Sequence, residues 1–508
     1  MRLSFKSVGQ RPFESLENFS KLHFSKVGFT KVQFTKRMET SLFIGREREL
    51  ATLRKLYDAE TFQFPVIYGR RRVGKTSLIS KFSEQLPTVF FTAVEDSSAV
   101  NLRNLSRECF MLDHPDADPT LAPVYPDFQT AFEAVFSLAE SQRVVFVIDE
   151  FPYLAKAEPS VSSILQMLID RNASTSKLYL ILCGSSLSFM REQVLSEKSP
   201  FVGRRTAQLE IKPLDFFESR EFFPEVSLQD AACYYGMVGG IPLYLKQFDQ
   251  KLSIKENLES VFFDPSSMLY EEPTNLLKQE VQKAALYNAV IGAIASGKTT
   301  ANEIATTAGI ASAELSYYVK ELRRIGLVDQ EFPIGSKRRR GTYRLTDNLF
   351  SFWYRFVLPS KSLIERGMVE RAARRALDHL PEYMGHVFEQ ICLEWLWRAN
   401  AIGNLPFAFD EAGRWWGSDP QTKTQEELDI VCLDEGTIVA VAECKWTNKQ
   451  VDALVLKTLD RRAALAGADS KAYRYVFSKS GFTDDCKRYA DQSTNFILIK
   501  FESMVVCE

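Results

Sequence analysis

At 508 residues the chain is long enough for about three domains with ample core. Its 45% apolar and 25% charged residues are ordinary globular values, and a net charge of −2 excludes an overall basic surface, so any nucleic-acid contact must be local. Eight scattered cysteines without a C-x-x-C pair and four isolated histidines argue against a zinc cluster and for reduced thiols, and the longest apolar runs are too short to span a bilayer.

Residues 1–40 read as a leader. Phe19, Phe24, Phe29 and Phe34 recur every five residues, and four such units make about one coil of a β-solenoid, which cannot bury a core. The expectation is a disordered basic leader, or translated upstream sequence with Met38 as the start. No signal-peptide pattern is evident, and a cytoplasmic protein without a membrane segment is expected.

The folded sequence opens at Phe43-Ile44-Gly45-Arg46-Glu47-Arg48-Glu49-Leu50, continued by Leu53 and Leu56 as a helical face. Pro65-Val66-Ile67-Tyr68 reads as a buried strand. It runs into Gly69-Arg70-Arg71-Arg72-Val73-Gly74-Lys75-Thr76, a complete G-x-x-x-x-G-K-[ST] loop, and Ser77 to Phe82 continue with helical spacing. Strand, glycine loop and helix make the cradle that a nucleotide polyphosphate requires. The glycines permit torsions other residues resist, successive N–H groups point at phosphate oxygens, and the helix N-terminus adds its positive end. Lys75 is expected to reach the β/γ-phosphates of ATP and Thr76 to ligate Mg²⁺, with Gly69, Arg72, Gly74 and Ser77 completing the binding set.

Thr88 to Val94 reads as a second strand, and Phe128, Phe132 and Phe136 as one face of a helix. Gln142 to Glu150 is an apolar strand delivering two carboxylates at its end. Asp149 is expected to hold Mg²⁺ and Glu150 to orient or deprotonate the attacking water; the alternative is a solvated acidic turn. A further strand, Leu178 to Cys183, ends in Gly184-Ser185-Ser186, where Ser185 can sense the γ-phosphate. Arg204 and Arg205 are arginine-finger candidates reaching a neighbouring subunit of a homo-oligomer, with surface salt-bridging as the alternative.

Together these stretches resemble the archaeal-type AAA-like/STAND ATPases. Five signatures carry the resemblance: Phe43 to Leu50, Gly69 to Thr76, Phe146 to Glu150, Gly184-Ser185, and Gly239-Gly240-Ile241-Pro242. The likeness implies an α/β P-loop ATPase core over residues 41–210 with a helical lid and connector over 211–280. It also implies Arg46 and Pro242 as nucleotide contacts. Asp264-Pro265 and Glu272-Pro273-Thr274 read as breaks in the connector.

Residues 281–347 have the pattern of a winged helix. Helices are expected at Tyr287 to Ala295, Thr300 to Ala305 and Ala313 to Ile325, then wing strands at Gly326 to Gln330 and Thr342 to Leu345. The wing tip, Gly335-Ser336-Lys337-Arg338-Arg339-Arg340-Gly341, could neutralise DNA phosphates, helped by Tyr317, Tyr318, Lys320, Arg323 and Arg324. A solvated turn or a protein-contact module is the alternative.

Residues 348–508, opening at Phe350 to Phe356, resemble the C-terminal domain of unknown function that accompanies these ATPases. Glu389 lies on a helix from Gly385 through Trp395. Asp429 and Glu443-Cys444-Lys445 lie on the two strands of a hairpin turning at Asp434-Glu435-Gly436, and the period of two puts Glu443 and Lys445 on one face. Two carboxylates and a lysine suit metal-assisted phosphodiester hydrolysis, with Glu389, Asp429 and Glu443 as Mg²⁺ ligands and Lys445 positioning water. The set resembles the PD-(D/E)xK nuclease superfamily, although Leu428 stands where a proline would precede Asp429. The alternative is a surface ion pair. Tyr473 to Ser478 and Asn495 to Ile499 read as later strands of a restriction-endonuclease-like α/β sheet.

Two functions follow. One is a DNA-directed ATPase with a Mg²⁺-dependent nuclease domain; the other is an ATP-gated switch whose C-terminal half only binds DNA or protein.

Overall fold

A computed structural model describes residues 43–281, 283–335, 341–493 and 495–505. The leader and the wing tip at 336–340 lie outside the described residues. The first layer structure contains α1 (Glu47–Tyr57), β1 (Pro65–Tyr68), α2 (Lys75–Ser83), β2 (Thr88–Thr92), α3 (Ser98–Asp113), α4 (Phe128–Ser141) and β3 (Val144–Asp149). It continues with α5 (Phe151–Ala157), α6 (Val161–Asn172), β4 (Leu178–Gly184), α7 (Leu187–Phe189) and β5 (Ala207–Glu210). All five strands are parallel, in the order β2-β3-β4-β1-β5. β3 and β4 are buried at every residue because helices cover both faces, which is why they read as unbroken apolar runs.

A helical body follows: α8 (Phe216–Ser219), α9 (Leu228–Val238), α10 (Pro242–Leu245), α11 (Ile254–Val261) and α12 (Met268–Glu280). The break expected at Pro273 does not occur, and α12 runs through it. Tertiary contacts override the lost backbone N–H: Trp353 Nε1 donates to the Tyr270 carbonyl at 2.8 Å, and Tyr244 donates to Glu272 at 2.7 Å.

Next come α13 (Ala284–Ala295), α14 (Ala301–Ala308) and α15 (Ser312–Arg324), then β6 (Val328–Glu331) and β7 (Thr342–Leu345), an antiparallel pair. Thr300 and Glu303 close a capping box at the start of α14. Three helices and a hairpin thus stand where the sequence places them.

The chain continues through α16 (Asn348–Phe352), the π-helical turn Trp353–Val357, α17 (Lys361–Ile364) and the 33-residue α18 (Val369–Ala401). α16 packs on α9, and Tyr383 of α18 donates to the Gly236 carbonyl at 2.7 Å, so this stretch lies on the helical body. The second sheet comprises β8 (Glu411–Ser418), β9 (Gln425–Asp434), β10 (Thr437–Lys445), β11 (Tyr473–Ser478) and β12 (Phe496–Lys500), with α19 (Ala453–Ala466) and α20 (Asp484–Ala490). Its order is β12-β11-β10-β9-β8, antiparallel from β8 to β10 and parallel from β10 to β12. One buried apolar cluster runs from Ile67 of the first sheet through Tyr235 and Trp353 to Phe477 of the second. Among the described residues no helix is long and apolar enough to cross a membrane.

Candidate functional site

The C-terminal edge of the first sheet gathers the predicted phosphate-handling residues, the end at which open α/β sheets bind ligands. β1 delivers the glycine loop. Gly74 caps α2 at φ 97°, a conformation that disfavours other residues, and a Cβ placed there would meet only Pro242 Cγ at 3.9 Å. Pro242 therefore stands beside the loop. Gly240 has a packing reason: a Cβ on it would fall 1.7 Å from the Leu214 carbonyl oxygen.

β3 lies two strands from β1, with β4 between them. From the end of β3, Asp149 accepts a hydrogen bond from Thr76 Oγ1 at 2.9 Å. Glu150 accepts one from Ser185 Oγ, at the end of β4, at 2.8 Å. Thr76, Asp149, Glu150 and Ser185 thus form two adjoining pairs. Arg46, Arg72 and Glu150 all hold positive φ (75°, 67° and 51°), a strain that clusters at functional sites. Lys75 donates to the carbonyls of Gly69 and Arg70, both at 2.9 Å, and burial lowers its pKa. A threonine hydroxyl beside an aspartate offers the hard oxygen donors that suit Mg²⁺.

Other predicted residues are placed differently. Arg46 is buried and donates to the Val73 and Lys212 carbonyls at 3.2 and 2.6 Å, holding the loop from behind. Arg72 pairs with Glu272 of α12 at 2.6 Å. Arg204 grips both carboxylate oxygens of Asp170 at 2.6 and 2.7 Å, and Arg205 donates to the Val194 carbonyl at 3.1 Å. Both are engaged by partners within this chain. The sequence reading overlooked Arg70, which pairs with Asp347 at the start of α16, and Arg71, which donates to Tyr153 at 2.8 Å. The signal was the loop itself, whose three variable arginines exceed what phosphate cradling needs.

The second sheet brings Asp429, Glu443 and Lys445 together at the β9–β10 pair, with α18 carrying Glu389 nearby. The Cys444 N–H donates to Asp429 at 2.8 Å, and Lys445 donates to Glu443 at 2.5 Å. Burial, then the charges of Glu443 and Glu389, push Asp429 up to about 8. Burial works to lower Lys445, but Glu443 and Asp429 outweigh it and raise its pKa. Burial also works to raise Glu389, yet His386 and Arg414 bring it below its usual value.

The expected three-carboxylate metal set is not assembled: among the described residues no three acidic, histidine or cysteine side chains converge as ligands. Basic side chains hold the oxygens instead. Arg462 of α19 approaches Glu443 at 3.4 Å, and Arg414 of β8 approaches Glu389 at 3.7 Å. The spacing of Leu456, Leu459 and Ala463 was the available clue to α19 and so to Arg462.

Fold and site together define a P-loop ATPase joined to a C-terminal domain with a mixed sheet. A family model for an ATPase domain found predominantly in Archaea matches residues 43–248, and one for archaeal and bacterial proteins of unknown function matches residues 353–456. An uncharacterized protein of Methanocaldococcus jannaschii is 35% identical over 445 residues, covering 86% of this chain and 96% of its own. The chain belongs to this family of archaeal-type ATPases, and its ATPase domain supports ATP binding and hydrolysis. An uncharacterized ATP-binding protein of the same organism is 44% identical over 43 residues, 8% of this chain and 73% of its own. Among solved structures, a Walker-type ATPase of Pyrococcus abyssi aligns at 18% identity and TM-score 0.48, covering 64% of this chain and 99% of its own. A signal-transduction ATPase of Pyrococcus horikoshii with a tetratricopeptide-repeat sensor aligns at 15% identity and TM-score 0.29, covering 72% and 52%.

Proposed function

We propose that the chain is an ATPase that acts on DNA, with hydrolysis at the first sheet controlling a phosphodiester-cleaving site on the second. The observation that carries the ATPase half is the meeting of Thr76 with Asp149 and of Ser185 with Glu150 at one sheet edge. The glycine loop and Lys75 hold the β- and γ-phosphates, Glu150 takes a proton from the attacking water, and Ser185 holds Glu150 until the γ-phosphate arrives. Thr76 and Asp149 would hold the Mg²⁺ that accompanies ATP, which would neutralise charge on the phosphates.

Residues 281–347 are read as a winged helix and as the DNA grip. This is supported by the loop after β6 meeting the second sheet: the Ile334 N–H donates to the Arg414 carbonyl at 2.9 Å, and Arg414 in turn approaches Glu389. DNA held on the wing would lie beside Asp429, Glu443 and Lys445. There Lys445 would position the attacking water and stabilise developing charge; a divalent ion would need Asp429, Glu443 and Glu389 to converge, and their basic partners stand in the way.

A second reading is an ATP-gated protein whose C-terminal domain only binds. One observation favours it: Glu443 and Glu389 already carry basic partners.

The test compares phosphate release and plasmid cleavage in Mg²⁺ or Mn²⁺, with and without ATP. Lys75→Ala and Glu150→Gln should abolish phosphate release, and normal turnover in both would sink the ATPase assignment. Cleavage lost in Lys445→Ala establishes the nuclease; no cleavage by the wild type beside clear ATP turnover selects the binding-only reading.

A further inference from the structure

Three arginines, Arg70, Arg71 and Arg72, fill the variable part of the phosphate loop, and the structure treats them differently. Arg70 is neutralised by Asp347 and Arg72 by Glu272. Arg71 alone of the three has no ion pair among the described residues. Its Nη2 donates to the Tyr153 hydroxyl at 2.8 Å, and its Nε is buried without a hydrogen-bond partner. A buried guanidinium nitrogen left unpaired loses its hydration without replacement, so it is poised to take a ligand acceptor.

The surroundings say which ligand. Tyr153 belongs to α5, the helix that begins immediately after Glu150. A cavity of about 40 Å³ is lined by Arg70, Arg71, Ser185 and Glu280 among apolar side chains that include Leu187 and Phe350. That is room for two or three waters at roughly 15 Å³ each. Glu150 and Glu280 both act on the Arg71 charge. Arg71 and Ser185 therefore line one small cavity, and Ser185 in turn donates to Glu150. Arg204 and Arg205 are engaged on Asp170 and on the Val194 carbonyl.

Resting on the ATPase reading above, we propose that Arg71 supplies, within its own chain, the guanidinium that stabilises charge developing on the γ-phosphoryl group during hydrolysis. The bond from water oxygen to the γ-phosphorus forms as the bond to the β–γ bridging oxygen breaks. ADP leaves, the water proton passes to Glu150, and Arg71 donates hydrogen bonds to the phosphoryl oxygens without changing its own protonation. Tyr153 orients the guanidinium and is a positioning residue.

The experiment measures steady-state ATP hydrolysis for the wild-type chain, Arg71→Ala, Arg71→Lys and Tyr153→Phe across a dilution series. It also measures binding of ADP alone and of ADP with aluminium fluoride, which mimics the transferring phosphoryl group. In Arg71→Ala, kcat should fall on the order of 10³-fold. KM and ADP affinity should stay within a few-fold, and the tighter hold on ADP with aluminium fluoride should disappear. Retained ADP binding reports that the variant is folded. Arg71→Lys should recover part of kcat, Tyr153→Phe should lower it about tenfold with KM unchanged, and turnover per chain should not depend on dilution. A kcat in Arg71→Ala and Tyr153→Phe within a few-fold of wild type overturns the proposal. So does a turnover per chain that rises with concentration and is lost in Arg204→Ala. A wild-type chain that binds ATP without hydrolysing it overturns the parent reading and this one with it.

Discussion

Both sheets bring carboxylates together, yet the two groups are partnered differently. At the first sheet, Asp149 and Glu150 accept from the neutral hydroxyls of Thr76 and Ser185 and have no ion pair among the described residues. Positive charge there comes from the loop and the helix end. At the second sheet, Lys445 and Arg462 already neutralise Glu443, and Arg414 lies against Glu389. The first arrangement is preorganised for a charged ligand. The second is already charge-paired within the protein.

The sharpest test of this contrast exchanges the charge at each centre. Asp149→Asn should lower ATP turnover by 10³-fold or more, read as phosphate release, because the carboxylate beside Thr76 is the strongest oxygen donor there. Glu443→Gln should remove metal-dependent DNA cleavage while phosphate release stays within a few-fold of wild type; parallel loss of both would mean the two sites are not separable.

Smaller effects sharpen the picture. Ser185→Ala should slow hydrolysis roughly 10- to 100-fold and leave ADP affinity unchanged, if the hydroxyl only holds Glu150 in place. Arg462→Ala removes a competing cation from Glu443, so Mn²⁺ binding measured by calorimetry should tighten by a few-fold. A weaker affinity would show that Arg462 supports the site rather than occupying it.

A last prediction concerns the joint between the two regions. Glu394 of α18 accepts from the Phe216 N–H at 3.0 Å, Tyr235 at 2.7 Å and Gln390 at 2.9 Å, and Arg398, one turn further, grips Asp215 through both oxygens. Burial pushes Glu394 up to about 7. The folded chain therefore binds this proton more tightly than the unfolded chain does. Its stabilising contribution is present at pH 4–5 and is lost as pH rises through 7, by about 1–3 kcal/mol. Chemical denaturation at pH 5 and pH 8 should show that slope, and Glu394→Gln should flatten it.

Legibility in the sequence followed the range of the forces involved. The phosphate loop, the acidic end of β3 and the serine after β4 were readable because the loop's backbone geometry demands particular residues at fixed spacing, and fully buried strands demand apolar runs. The Asp429, Glu443 and Lys445 hairpin was readable from strand alternation. Pro273 was misread because local propensity is worth about 3 kcal/mol, less than the packing and the Trp353 and Tyr244 contacts that hold α12 together. The fates of the arginines were not readable at all: Asp347 lies 277 residues from Arg70, and Tyr153 lies 82 from Arg71.

The sequence by itself determined that a phosphate loop and a strand ending in two carboxylates would form, and that a second acidic hairpin would follow, since each is written within a few residues of backbone. Only the tertiary structure decided which charges meet. Ion pairs and buried hydrogen bonds depend on distances across the fold, and those set Arg70, Arg72 and Arg204 in neutral pairs, closed Glu443 with Lys445 and Arg462, and left Arg71 facing the cavity beside Ser185.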